Sequence, residues 1–348
     1  MVEIDGSQGE GGGQILRTAL GLSCLLAKPF RIFNIRKGRE RPGLMPQHLT
    51  AVRAAQLISN AEVRGDSKGS SELLFSPREV KAGDFFFDTG TAGSVTLVLQ
   101  TIIPALISAK KRTTVILKGG THVPLSPSYH YIAGVFVPIL RKLGVSINVS
   151  IESYGFYPKG GGKIRVEISP PNEIKPLRVA ERGKVFALRG YSAVGNLPLS
   201  IAERQRNAMV EKIHSVIKAP SFDEKIELLN VSSFGQGTFI YLQSESEHSS
   251  AGFTALGARG KRAEKVGEEA GADFLEYYAS GAAFDHHLPD QIVPYLSLCR
   301  DESEFTTSSI TSHLMTNLWA IGLFHDFTYS VQGEVGKPGS VRINQRPV

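Results

Sequence analysis

The chain has 348 residues, 41% of them apolar and 21% charged, the make-up of a soluble globular protein with a sizeable core rather than of a disordered or fibrous chain. Thirty-nine Lys and Arg against 33 Asp and Glu leave a net charge of +6, which suits an anionic partner such as a nucleotide or a nucleic acid. Two cysteines, Cys24 and Cys299, exclude a disulfide framework and zinc-type spacing and predict a reducing cytoplasm. The acidic stretch 1–5 has no apolar signal region, and no apolar run approaches the ~20 residues that span a bilayer.

In chain order, residues 2–4 read as a strand, 6–13 as a glycine-rich loop, and Leu16, Ala19, Leu20, Leu22, Leu25 and Leu26 as the apolar stripe of a helix. Residues 30–35 alternate as a strand and run into a basic loop, 36–43. A helix from about 46 to 59 opens on Pro46, a residue suited to a first turn. Two strands, 61–64 and 72–75, close the unit at Ser76-Pro77. The same order then recurs about 82 residues later. It runs as strand 85–87, apolar helix 91–109, strand 113–117, helix 127–143, and strands 145–151 and 163–168, ending at Ser169-Pro170. An extra loop, 156–162, lengthens this second copy.

The pattern breaks between 182 and 277, which reads as an inserted domain. It has one clear helix, 201–217, and a Gly/Lys/Glu-rich stretch, 257–271, that leads into another. It carries no aromatic RNA-stacking signature, and 279–283 reads as the return hinge. A third, less complete copy follows: helix 287–299, strand 304–306, helix 310–324, strands 328–331 and 340–343, and the closing pair Arg346-Pro347. The expected fold is α/β (α+β). Three repeated βαβαββ units form a large domain over 1–181 and 278–348, packed helix against helix, with a smaller α/β domain inserted at 182–277.

Several stretches could carry chemistry. Ser and Thr crowd positions 306–312 as an N-cap should, and Ile310, Leu314, Leu318 and Ile321 form the buried stripe behind them. His313 lies off that stripe in the first turn, with Asn317 on the same face. A helix N-terminus disfavours a positive charge, so the imidazole is expected neutral, the form that can attack phosphorus. In the glycine loop, backbone N–H groups can cradle phosphate, and Glu10 could hold a Mg²⁺ that bridges triphosphate oxygens. The loop is neither a P-loop nor a dinucleotide fingerprint. Arg17 lies one turn into the helix behind that loop, and Arg36, Lys37, Arg39 and Arg41 cluster at a second strand–helix junction, where guanidinium forks suit phosphate; Gln47 is a polar residue in a helix. Gln100 interrupts an apolar helix, where an unsatisfied amide is costly. His286, His287, Asp290 and Gln291 open a helix, but adjacent histidines point ~100° apart and argue against a shared metal.

DGSQGEGGGQILRTAL, IRKGRERPGLMPQHLTAV, GSVTLVLQTIIPAL, YGFYPKGGG, LPDQ and SHLMTN together resemble the RNA 3′-terminal phosphate cyclases over nearly the whole chain. The resemblance implies a three-step, ATP-dependent reaction: a histidyl-AMP, transfer of AMP to an RNA 3′-phosphate, and attack by the vicinal 2′-OH to give a 2′,3′-cyclic phosphate. It implies His313 as the nucleophile and Glu10 as ligand of a Mg²⁺ or Mn²⁺. Gln100, His287, Leu288, Pro289, Asp290 and Gln291 would contact ATP, and Pro127 would wall the adenine. Arg17, Arg36, Arg39 and Gln47 would hold phosphates or the RNA end. One departure is His287, where relatives carry a Tyr that stacks on adenine. Two other readings share the architecture: a non-catalytic cyclase-like ribosome-assembly factor, which would lack the nucleophile, and an enolpyruvyl-type transferase, which needs no covalent His.

Overall fold

The computed structural model describes residues 1–345; the predicted closing pair Arg346-Pro347 lies outside the described residues. The first unit runs β1 (Val2–Asp5), α1 (Gln14–Leu26), β2 (Phe30–Phe33), α2 (Pro46–Ser59), β3 (Glu62–Arg64) and β4 (Leu73–Ser76). In β2, Phe30 and Ile32 point into the core while Arg31 and Phe33 face outward, the period of two that makes a half-buried strand. The sheet order is β1-β2-β4-β3, with β1 and β2 parallel and the other pairs antiparallel. A parallel pair needs a crossover, and α1 supplies it by burying Ile15, Leu16, Ala19 and Leu20.

The second unit repeats this order with β5 (Asp84–Asp88), α3 (Val95–Leu106), β6 (Thr113–Gly119), β7 (Ser146–Ser153) and β8 (Gly162–Ser169), paired β5-β6-β8-β7. Its first helix starts later than the spacing predicts. Ser94 caps it by accepting from Leu97 N–H at 3.2 Å, and residues 89–93 fold into a turn around Asp88, Thr89 and Thr91. Its second helix is composite: α4 (Tyr129–Tyr131), a π-helical turn (Ile132–Phe136) and α5 (Val137–Lys142). Pro127 stays outside it, in the loop before the Ser128 cap.

β9 (Arg178–Val179) comes next, then β10 (Val185–Gly195), α6 (Leu199–Val216), β11 (Asp223–Asn230), β12 (Gly237–Ser246), β13 (Ser250–Leu256) and α7 (Ala263–Ser280). The sheet order here is β11-β10-β12-β13, which leaves β13 as an edge. Of the glycines in the stretch 257–271, only Gly257 and Gly260 lie in the loop before the helix. Gly267 and Gly271 lie inside α7, where α6 presses so closely that a Cβ on Gly267 would sit 2.0 Å from the Gln205 carbonyl. Gly281, at φ 71°, ends the helix. Leu188, Met209, Ile240, Leu242, Val266 and Phe274 belong to a core cluster separate from that of the repeats.

The third unit is complete. After α8 (Leu288–Leu296) come β14 (Ser303–Thr307), α9 (Ser312–Phe324), β15 (Phe327–Gln332) and β16 (Gly339–Gln345). The strand missing from the sequence pattern is β9, which pairs parallel with β14 in the order β9-β14-β16-β15. It lies before the 182–277 segment and is only two residues long, too short for periodicity to reveal. The three units join through their helices, with α1 against α3 and α9, and α2 against α3. Arg182 marks where the chain passes into the 182–277 segment. Its guanidinium donates to the Tyr277 and Tyr278 carbonyls at 3.1 and 2.6 Å and lies over both rings.

Candidate active site

A cleft of about 990 Å³ opens where the N-termini of α1, α8 and α9 converge opposite β13. The first turn of α1 has no side-chain cap, and Gly12 and Gly13 leave its N–H groups open to the cleft. Those glycines are needed for space. A Cβ on Gly12 would meet Glu10 Oε1 at 2.2 Å, and one on Gly13 would meet His48 Nε2 at 2.3 Å. A bare helix N-terminus with two close-approach glycines is a phosphate-binding surface.

His313 stands at the second position of α9, whose Thr311 cap accepts from Leu314 N–H at 3.1 Å. Its Nδ1 contacts both Gln14 Oε1 and Glu10 Oε2. Both partners are acceptors, so in the neutral ring they place the proton on Nδ1. Nε2 makes no hydrogen bond among the described residues and faces the cleft as a free lone pair. Gln14 is held in turn: its Nε2 donates to Asp290 Oδ2 at 2.8 Å. Asn317 donates to the Asp290 carbonyl at 2.6 Å and accepts from Thr18 Oγ1 at 2.6 Å. One polar chain therefore ties α1, α8 and α9 at His313 Nδ1.

The electrostatics on His313 run against the helix N-terminus. Glu10, hydrogen-bonded to the ring, raises the His313 pKa; burial opposes it and loses. The helix N-terminus is outweighed by a full carboxylate in contact. Burial alone would raise Glu10, but His313, Arg39 and Arg17 hold it below its usual range. Burial lifts the Asp290 carboxyl to about 6, against the pull of His313, Gln14 and Arg17. Arg17 is lowered to about 10 by burial, with Asp290 and Glu10 opposing. It makes no hydrogen bond to the described residues, so its fork is available to the cleft. His48 is kept neutral near pKa 3 by burial, then by Arg17 and Arg36, and its Nδ1 accepts from Met45 N–H to cap α2.

The other predicted residues divide by what they already bind. Arg39 pairs with Glu10 at 2.5 Å and is half-exposed. Arg36 has φ +54° and donates to the Arg41 and Gly43 carbonyls, so one nitrogen is spent shaping its own loop. Gln47 accepts from Ser94 N–H at 3.1 Å, which leaves only its amide NH₂ for a ligand. Gln100 donates to Gln291 Oε1 at 2.6 Å, and Gln291 donates to the His287 carbonyl at 2.8 Å. Pro127 and His287 line the cleft. Leu288 and Pro289 do not: both side chains are buried beneath the first turn of α8, part of the wall's support rather than its surface.

Sequence reasoning passed over three groups. Gln14 lay inside a quoted motif, but only the fold brings it onto His313. Buried Asp285 accepts from Tyr131 Oη at 2.8 Å, His287 N–H at 2.9 Å, Leu288 N–H at 3.1 Å and Gly252 N–H at 3.2 Å. It thereby joins the second unit, α8 and edge strand β13, a role no local pattern shows. The β13 edge itself supplies one wall of the cleft.

A divalent ion fits one position. Glu10 Oε2 is buried against His313 Nδ1, and a hard cation there would share the carboxylate with the ring and with Arg39. Among the described residues no three His, Cys, Asp or Glu side chains form a cage. An ion at Glu10 would complete its shell from phosphate oxygens and water, as Mg²⁺ usually does.

The sequence profile described as RNA 3′-terminal phosphate cyclase matches residues 8–331. A protein of that name from Sulfolobus acidocaldarius is 46% identical over 96% of this chain and 97% of its own length. Those from Ignicoccus hospitalis and Pyrococcus abyssi are 43% and 42% identical, each over 99% of this chain and 98% and 99% of their own. With profile and relatives spanning the same cleft-forming units, the chain belongs to the RNA 3′-terminal phosphate cyclase family.

Proposed function

We propose that the protein converts an RNA 3′-terminal phosphate to a 2′,3′-cyclic phosphate with ATP, through a covalent AMP on His313. The observation that carries this is the pinned imidazole: Nδ1 held by Gln14 and Glu10, Nε2 free in a cleft that also holds Arg17, Arg36 and Arg39. Nε2 attacks the α-phosphorus of ATP, the bond to the β-phosphate oxygen breaks, and pyrophosphate leaves. The ring becomes a phosphoimidazolium, and Glu10 at Nδ1 stabilises that charge for the same reason that it raises the His313 pKa. An oxygen of the RNA 3′-phosphate then attacks the same phosphorus and the P–N bond breaks. The product anhydride carries AMP as a good leaving group, which the 2′-OH displaces from the 3′-phosphorus. The requirement for a 2′-OH selects RNA over DNA. A Mg²⁺ or Mn²⁺ on Glu10 would neutralise triphosphate charge.

Arg17 and Arg39 have free donors for the phosphates, and Gln100, His287, Asp290 and Gln291 with Pro127 suit the nucleoside end. The division into 1–181 with 278–348 and an inserted 182–277 belongs to this reading and is supported by the separate apolar cluster of the segment. No helix of the described residues is long and apolar enough to cross a membrane. A cytoplasmic site of action is supported by the two free, buried cysteines.

The test is ATP labelled at the α-phosphate. Label should attach to the protein, survive base, be lost in acid, and discharge onto RNA with a 3′-phosphate. His313→Ala should abolish it while the fold persists, since that side chain is half-exposed. Retained labelling of His313→Ala would refute the assignment. No label on the wild type with any divalent ion would favour the non-catalytic reading.

A further inference from the structure

Two loops outside the cleft present aromatic rings to solvent. Phe234, between β11 and β12, is 74% exposed, and Tyr157, between β7 and β8, is 69% exposed. These are built into their positions. Asn196 donates to the Ser233 and Gly235 carbonyls at 2.8 and 3.3 Å, which braces the turn that carries Phe234. Tyr154 N–H donates to the Ser232 carbonyl at 2.9 Å, joining the two loops. Phe156 is driven beneath the segment, where Gly237 leaves room for its ring: a Cβ there would sit 2.1 Å from it. The next residue, Tyr157, is thereby turned outward. Lys159 places its ammonium 5.4 Å from the centre of the Phe234 ring.

The same loop leads back to the cleft. Gly160, at φ +65°, lies flat on the turn before α3, since a Cβ there would meet the Thr91 carbonyl at 2.6 Å. Gly93, two residues on, packs against Gln47, which lines the cleft on the same side as Arg36 and Arg39. Two Cα steps from Thr91 to Gly93 and one from Gly160 to Lys159, with the two packing contacts, put Lys159 on the order of 15 Å from Gln47. A strand whose 3′-phosphate sits among the arginines could reach it within a few nucleotides.

We infer that Phe234, Lys159 and Tyr157 form a stacking platform for single-stranded RNA a few nucleotides upstream of the end that enters the cleft. An aromatic face accepts any base, and the ammonium over the other face can pair with the neighbouring phosphodiester, so the platform holds RNA without reading its sequence. The composition of 182–277 hides it because Phe234 belongs to that segment and Tyr157 and Lys159 to the second unit, and only the fold brings Lys159 onto the Phe234 ring. This inference rests on the proposed reaction.

The experiment compares a 3′-phosphorylated RNA of about ten nucleotides with a dinucleotide bearing the same end, and measures self-adenylylation separately. The wild type should show a lower KM for the longer RNA. Phe234→Ala and Lys159→Ala should raise that KM by roughly 5- to 100-fold, the range of one lost base stack. KM for the dinucleotide and the adenylylation rate should stay unchanged, and Phe234→Trp should restore the preference where Phe234→Leu does not. Equal KM values for both RNAs on the wild type, or unaltered long-RNA kinetics in the Ala variants, would overturn the platform. So would an equal loss in adenylylation, which would mean that these residues support the cleft instead. Failure of the wild type to cyclise either RNA would instead overturn the proposed reaction.

Discussion

Asp290→Asn should make the protein more stable and less active. Asp290 occupies the first turn of α8, where the helix dipole favours a carboxylate, yet burial lifts its pKa from an ordinary 3.8 to about 6. The shift is the net of burial against the pull of His313, Gln14 and Arg17, so the charged form is disfavoured even with its partners in place. About two pK units correspond to about 3 kcal/mol of stability forgone at neutral pH. A group whose folded pKa is raised binds its proton more tightly in the folded state. The penalty is therefore full above about pH 6, shrinks as pH falls, and vanishes near pH 4. Asn removes the charge and keeps an oxygen to accept from Gln14 Nε2. At pH 7.5 the variant should melt about 4 °C higher, given an unfolding entropy that scales with chain length. Near pH 4 the two should melt together. Adenylylation should slow by about tenfold, because a charge-assisted hydrogen bond to Gln14 becomes a neutral one. Thermal melts from pH 4 to 8 and single-turnover label transfer measure both. A lower melting temperature at pH 7.5, or a gap independent of pH, would refute the electrostatic account.

Three further outcomes follow from the same site. With no divalent ion present, Glu10→Gln should lower the His313 pKa, because the contact that raises it is gone; NMR titration of the ring reads this, and an unshifted midpoint would remove Glu10 from Nδ1. Adding Mn²⁺ or Mg²⁺ to the wild type should move the midpoint the same way if the ion sits on Glu10, with Mg²⁺ the choice for NMR. His287→Tyr should tighten ATP binding by about two- to fivefold, the worth of a larger stacking face; calorimetry that shows a large loss would assign His287 another task.

The repeat was legible because the first two units close on the same Ser-Pro pair, at Ser76 and Ser169, and space their apolar residues alike. What escaped was what local pattern does not encode. The two residues of β9 carry no period. Gly267 and Gly271 resemble loop formers until α6 is seen lying against them. In the site, the residue types at positions 10, 17, 39 and 313 announced phosphate chemistry. Their protonation did not, because it depends on Glu10 and His313, 303 residues apart in sequence, sharing one contact. Gln14 and Asp285 escaped for the same reason: their partners lie on other helices and strands, and only packing brings them together. Conversely, Leu288 and Pro289 came in with a motif whose first two residues pack inward while Asp290 and Gln291 line the cleft.

The clasp of Arg182 on the carbonyls of Tyr277 and Tyr278 brings both chain connections of the 182–277 segment to one point. From that point the segment is seated along the second unit and α8 by Tyr154 N–H on the Ser232 carbonyl, Gln243 on the Gly134 carbonyl and Gly252 N–H on Asp285. The strand that walls the cleft is therefore positioned by contacts spread along its length, and the two chain connections are left only the task of leaving and returning at one place.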